Sequence, residues 1–201
     1  MARVFLLSPA HLGGERARQV LDPRATFELA ERLRRGQATL GEVMAFVSGL
    51  YFRGKLAYAR AFARPPEPLQ DGALVITASR GLVPASSPVD VRAMQRLGAV
   101  DIDVGDSRYR RPLERDARLL AALDGCELVL LGSVATHKYV GVLDAILGER
   151  LLFPPSFVGR GDMSRGGLLL RCARSGEELD YTPVRGAVRH GTRPPRLPRL
   201  R

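Results

Sequence analysis

Val4-Phe5-Leu6-Leu7-Ser8-Pro9-Ala10-His11-Leu12-Gly13-Gly14 joins an apolar run directly to a loop of small, cyclic and polar residues. Four apolar residues without alternation are the pattern of a strand buried on both faces, as in parallel sheets. The Pro and Gly that follow rule out helical continuation and put a loop at the strand's carboxyl end, where α/β proteins bind ligands. Two further segments repeat the pattern. Ala73-Leu74-Val75-Ile76-Thr77-Ala78-Ser79 reads as a buried strand that enters the turn Arg80-Gly81-Leu82-Val83-Pro84, and Glu127 to Gly132 is a third such strand.

Helical spacing fills the gaps between these strands. Phe27, Leu29, Ala30 and Leu33 follow Thr26, a candidate N-cap, and end at Gly36. Leu40, Val43, Met44 and Val47 follow Thr39. Leu56, Tyr58, Ala59 and Phe62 share a face that Pro65, Pro66 and Pro68 terminate, and Leu113, Ala117, Leu120 and Leu123 form another stripe. The exit of the third strand leads into a helix expected from about Ala135 to Leu147. Val100 to Val104 alternates like a strand, Leu151-Leu152-Phe153-Pro154 is short and strand-like, and Leu179, Tyr181 and Val184 read as a last strand. Gly49 and Gly54 bracket Leu50-Tyr51-Phe52-Arg53 as an aromatic turn. Asp162 to Arg174 stays open between a helix capped by Asp162 and a loop, because Gly166-Gly167 costs a helix about 1 kcal/mol per glycine. Strands alternating with helices predict an α/β domain over residues 1–184, with a mixed central β-sheet flanked by helices.

With 201 residues, 45% hydrophobic and 26% charged, the chain suits one globular domain. Two cysteines, Cys126 and Cys172, are too few for a disulfide framework and point to a reducing compartment. No apolar run approaches the roughly 18 residues that cross a bilayer, and the opening residues read as a first strand, not a leader. The expectation is a cytoplasmic protein with no membrane partner. The net charge is +10, and of 31 basic residues only Lys55 and Lys138 are lysines, the other 29 being arginines. A lysine kept in so arginine-rich a chain hints at a role that needs a tunable amine. Residues 185–201 form a basic, proline-interrupted tail with six arginines and no acid, which reads as extended and able to lie on phosphates.

The common nucleotide-binding loops are missing: no glycine-rich loop ends in Lys-Ser or Lys-Thr, and no strand leads into three glycines at dinucleotide spacing. His11, His137 and His190 stand far apart, so neither a metal site nor a cofactor is expected. A Ser8, His137 and Asp101 triad can be assembled, but no motif requires it. What remains is a set of polar groups at strand exits: Ser8 to His11, Ser79 to Pro84, Gly132-Ser133 with Thr136-His137-Lys138-Tyr139, and the late Gly159-Arg160-Gly161-Asp162-Met163-Ser164-Arg165-Gly166.

These segments resemble, in order, motifs of the YaaA peroxide-stress family. Ser8-Pro9-Ala10-His11 is similar to its opening Ser-Pro-Ala-Lys, and Gly49 to Leu56 resembles its Gly-x-x-Tyr-x-Gly-Leu turn with an insertion. Ala78 to Pro84 is similar to its Ser-Gly-Leu-Tyr-Gly-Val-Leu-Arg-Pro segment, Gly132-Ser133 and His137-Lys138-Tyr139 loosely match Ala-Ser-x-Glu-Tyr, and Arg160 to Arg165 matches Arg-Gly-x-Met-Ser-Arg. The chain is shorter than typical members, with His11 in place of Lys and Lys138 in place of Glu. The resemblance implies a YaaA-like fold and an association with DNA or with nucleobase chemistry, including deazaguanine modification, where a base nitrile is hydrated.

On this reading His11, Asp162 and Lys138 are the candidate catalytic residues. Ser8, Tyr51, Lys55, Ser133, Arg160, Ser164 and Arg165 are the candidate substrate-binding residues. Arg160 and Arg165 are expected to close on one anion at a helix start, Tyr51 to stack a base, and His11, Asp162 or Asp101 to act as acid or base. The leading expectation is an enzyme that hydrates or hydrolyses a nucleobase, nucleoside or nucleotide, with that small molecule or DNA as partner. The alternatives are a non-catalytic DNA-binding stress protein and a nucleoside or nucleotide N-glycosidase in a biosynthetic pathway.

Overall fold

A computed structural model describes residues 1–135, 137–195 and 197 of the chain. In chain order its strands are β1 (Ala2–Leu7), β2 (Ala38–Thr39), β3 (Ala73–Thr77), β4 (Gly81–Pro84), β5 (Pro88–Val89), β6 (Cys126–Leu131), β7 (Leu151–Phe153) and β8 (Thr182–Pro183). The helices are α1 (Glu15–Leu21), α2 (Glu28–Arg34), α3 (Leu40–Ser48), α4 (Leu50–Phe62), α5 (Val91–Gly98), α6 (Ser107–Ala121), α7 (His137–Leu147) and α8 (Asp162–Ser175).

Six strands form one mixed sheet in the order β4-β3-β1-β6-β7-β8, so the chain is an α/β protein with a mixed central sheet flanked by helices. The four inner strands are parallel, while β4 pairs antiparallel with β3 and β8 with β7. β1 lies between β3 and β6, with Leu7 opposite Val75 on one side and Leu131 on the other. The unbroken apolar runs follow from this placement, because alternate residues of each inner strand enter different cores. Phe5, Leu7, Val75, Val129 and Leu131 pack against α3, α4, α5 and α8. Val4, Leu6, Ile76, Leu128 and Leu130 pack against α6 and α7.

Several expectations are corrected here. Val100–Val104 is not a strand, because the aspartates divert the backbone. The Asp103 carboxylate accepts from the Gly105 amide at 2.9 Å, and Asp106 caps α6 by accepting from the Arg108 amide at 2.8 Å. The segment bracketed by Gly49 and Gly54 is not a turn: only Gly49 has a left-handed φ, +65°, and α4 starts at Leu50 and runs through Gly54. Asp162 does not cap α8 but is its first residue, with Gly161 in the cap position, and both Gly166 and Gly167 lie inside the helix. Thr26 caps nothing either; Phe27 precedes α2 without a side-chain cap. The last strand shrinks to two residues because the Leu179 amide is taken by the Tyr58 hydroxyl at 2.8 Å. Thr39 does cap α3, in a reciprocal box with Glu42.

α7 begins at His137, and Thr136 lies outside the described residues. In the tail, Arg185 turns back to bond the Asp144 carbonyl at 2.9 Å, and the described residues beyond it form neither helix nor strand. Arg196 and 198–201 fall outside the described residues. Among the described residues no helix is long and apolar enough to cross a membrane.

Candidate functional site

The strand order marks the place for a site. The chain leaves β1 toward β3 on one side and later returns to β6 on the other, so connections diverge at the carboxyl ends of β1 and β6 and open a crevice there. Ser8 stands in that position, its amide donating to the Leu131 carbonyl at 3.2 Å. Gly132 is beside it. A Cβ at Gly132 would lie 3.1 Å from the Ser8 Oγ, so the missing side chain leaves room next to the hydroxyl.

Two helices deliver the charge behind Ser8. α4 and α8 form the most extensive helix pairing in the molecule, and they cross at Gly54 and Gly166. A Cβ on Gly54 would sit 2.5 Å from the Gly166 carbonyl oxygen, and one on Gly166 would sit 2.7 Å from the Tyr51 Cα, so only glycine permits this approach. The crossing brings Tyr51 and Lys55 of α4 within electrostatic reach of Asp162 and Arg165 of α8. Lys55 is only 1% exposed. Its Nζ donates to the Ser8 carbonyl and, at 2.9 Å, to the Ser8 Oγ. It also lies 4.3 Å from the centre of the Tyr51 ring and 4.9 Å from that of Phe52, as their i,i+4 and i,i+3 spacing dictates. Among the described residues no carboxylate forms an ion pair with it. Burial is therefore the largest influence and lowers its pKa to about 7; Asp162 works against the shift and Arg165 adds to it. The Tyr51 hydroxyl is buried with no hydrogen-bond partner of good geometry, and burial raises its pKa to about 12 despite nearby Arg165.

A cleft of about 520 Å³ opens over the ends of β1 and β3. Leu12, Met44, Leu97 and Ile102 give it apolar walls, and His11, Asp101, Lys138 and Tyr139 supply polar groups. Pro9 and Ala10 also line it, and Ser8 precedes them in the chain, behind the lining residues. The Tyr109 hydroxyl fixes the start of α7 by donating to the Lys138 carbonyl at 2.6 Å, leaving the Lys138 side chain exposed. Burial raises the pKa of Tyr139, and Asp162 adds to that rise.

The expected residues thus divide into groups. His11 and Lys138 share the cleft; Ser8, Tyr51, Lys55 and Arg165 share the helix crossing; Ser133 is half-buried one residue beyond Gly132. The pair of arginines does not close on one anion. Arg160 donates to the Ser156 carbonyl at 3.0 Å and to Ser164 Oγ at 3.1 Å, and both line a separate hollow of about 320 Å³ against Pro194, Pro195 and Leu197 of the tail. Arg165 instead donates to the Phe157 carbonyl at 3.2 Å and pairs with Asp162 at 3.7 Å. The helical repeat of α8 explains the divergence, since Ser164 and Gly167 face the tail while Arg165 and Gly166 face α4. Tyr51 offers no stacking platform, being 7% exposed with Lys55 over its ring. Asp162, 70% exposed, lies outside the cleft lining and acts on Lys55, Tyr51 and Tyr139 through its charge alone.

Asp101, Thr77 and Met44 of the cleft wall come from distant segments, and Gly54, Gly132 and Gly166 work by what they lack. Only glycine within a helical pattern hinted at the crossing. Among the described residues no three His, Cys, Asp or Glu side chains gather to hold a metal ion. Comparison with family models, with curated proteins and with solved structures finds no match to this chain.

Proposed function

We propose that the chain is an enzyme that hydrolyses or hydrates a nucleobase-containing small molecule held in the cleft beside β1. The observation that carries this reading is the cleft itself: about 520 Å³ at the carboxyl end of the sheet, apolar on its walls and ionisable at its edge. That volume suits a nucleoside or nucleotide and is too small for a duplex. Leu12, Met44, Leu97 and Ile102 would sandwich a flat ring, and the Asp101 carboxylate would accept from N–H groups on its edge. His11 serves as the acid or base toward water, and Lys138 neutralises developing negative charge or a phosphate. Hydrolysis and hydration need only water as co-substrate. The ordered resemblance to the YaaA family supports the choice of nucleobase over other planar ligands, and the reading places the enzyme in the cytoplasm.

The test is turnover of a panel of nucleosides, nucleotides and base nitriles, read by mass spectrometry. A product that forms with the parent protein and not with His11→Ala or Lys138→Ala supports the reading. Salt-sensitive retention of DNA without any product would replace it with the DNA-binding alternative.

A further inference from the structure

Ser8 and Lys55 are joined side chain to side chain at 2.9 Å, at the point where β1 and β6 diverge. The ammonium end of Lys55 is held from both sides, by the Ser8 carbonyl and by the ring faces of Tyr51 and Phe52. It is thereby fixed in direction without a carboxylate to keep it charged. Ser8 is buried, 6% exposed as a residue, with its Oγ also donating to the Leu131 carbonyl at 3.4 Å, and it stands between the cleft-lining Pro9 and the bare Gly132. A hydroxyl next to a cleft-lining segment, bonded to a fixed amine that pairs with no carboxylate among the described residues, is the arrangement of a nucleophile and its base.

We propose that Ser8 and Lys55 form a nucleophile–base pair for acyl transfer, acting on an ester or amide carbonyl presented from the cleft. The Ser8 Oγ–carbon bond forms as the hydroxyl proton passes to the neutral Nζ, and the carbonyl π electrons move to its oxygen. Collapse of that adduct breaks the bond to the leaving oxygen or nitrogen, which takes the proton back from Lys55. Water, deprotonated by the same amine, then cleaves the Ser8 ester and releases the acid. The groups facing Lys55 are Ser8 just after β1, Tyr51 from α4, and Asp162 and Arg165 from α8, so the charges of α8 oppose each other around it. With the amine half neutral near pH 7, nucleophilicity rises through neutral pH. The proposal takes the cleft as the substrate site, in common with the function above, but its test requires no nucleobase.

The 201-residue chain is treated with phenylmethanesulfonyl fluoride, a probe whose sulfur–fluorine bond breaks as the Oγ–sulfur bond forms. The adduct is located by peptide mass. The expected result is one adduct, on Ser8, with a labelling rate that rises sigmoidally about a midpoint near pH 7. Ser8→Ala abolishes it, and Lys55→Met slows it by about 100-fold or more, the usual contribution of a positioned base. Gly132→Ala, which removes neither member of the pair but crowds the Ser8 side chain, slows it less. Labelling elsewhere, equal labelling of Lys55→Met, or a flat profile of the parent protein from pH 5.5 to 8.5 overturns the pair, and the last reading stands even if Lys55→Met fails to fold. A Ser8 adduct together with a silent nucleoside panel rejects the nucleobase reading and keeps the pair.

Discussion

Replacing Lys55 by methionine should change how stability depends on pH more than it changes packing. Methionine has a similar reach and needs no partner, so it fills the space between Tyr51, Phe52 and Ser8 without a charge to desolvate. In the native protein the Lys55 pKa falls from 10.5 to about 7, so the folded state gives up a proton that the unfolded chain still holds. Between those two values the unfolded chain binds more protons, and stability therefore rises with pH; below pH 7 both states are protonated and the cost is present in full. At 1.36 kcal/mol per pH unit the full cost is about 5 kcal/mol, and the part recovered between pH 6 and pH 9 is about 2–3 kcal/mol. Urea unfolding of both proteins at pH 6, 7.5 and 9 measures it, since other titrating groups cancel in the difference. The advantage of Lys55→Met over the parent should shrink by about 2–3 kcal/mol across that range. Parallel curves, within about 0.5 kcal/mol, would show that Lys55 remains protonated throughout and would refute the desolvation argument.

Gly54→Ala and Gly166→Ala should each destabilise by about 2 kcal/mol or more, because backbone atoms meet the new methyl and cannot yield as side chains do; denaturant unfolding reads the loss. Glu42→Ala removes the carboxylate half of the cap at Thr39 and the partner of Arg32 at 2.8 Å, and should cost about 1 kcal/mol at pH 7. Arg32 holds the Glu42 pKa below its ordinary value, so this stability is present above the unfolded pKa and is lost as pH falls through the lowered folded value; the difference between the two proteins should shrink as the pH is lowered. Asp116→Ala leaves the Leu82 amide, now bonded at 2.8 Å, without its acceptor, and should lower stability by about 1–2 kcal/mol, seen as faster amide exchange in β4.

What the chain's own order determined is the layered architecture. The runs at Val4–Leu7, Leu74–Ile76 and Leu128–Leu131 are apolar at consecutive positions because each strand has a helix layer on both faces, and that pattern needs no knowledge of neighbours. The start of α3 near Thr39 was legible for the same reason, since its apolar spacing is local. Ser8 and His11 could be placed at a strand exit, and Lys55 singled out by its rarity, but no local pattern joined Ser8 to Lys55 across 47 residues. That contact exists because Gly54 and Gly166 let α8 close on α4, and because β6 pairs with β1 to seat Gly132 beside the hydroxyl. The same crossing turned Arg165 inward and left Arg160 to the tail, although the two lie five residues apart. Local sequence sets the period of each element; which face meets which is decided by long-range packing, and the chemistry at the switch point arises from that packing.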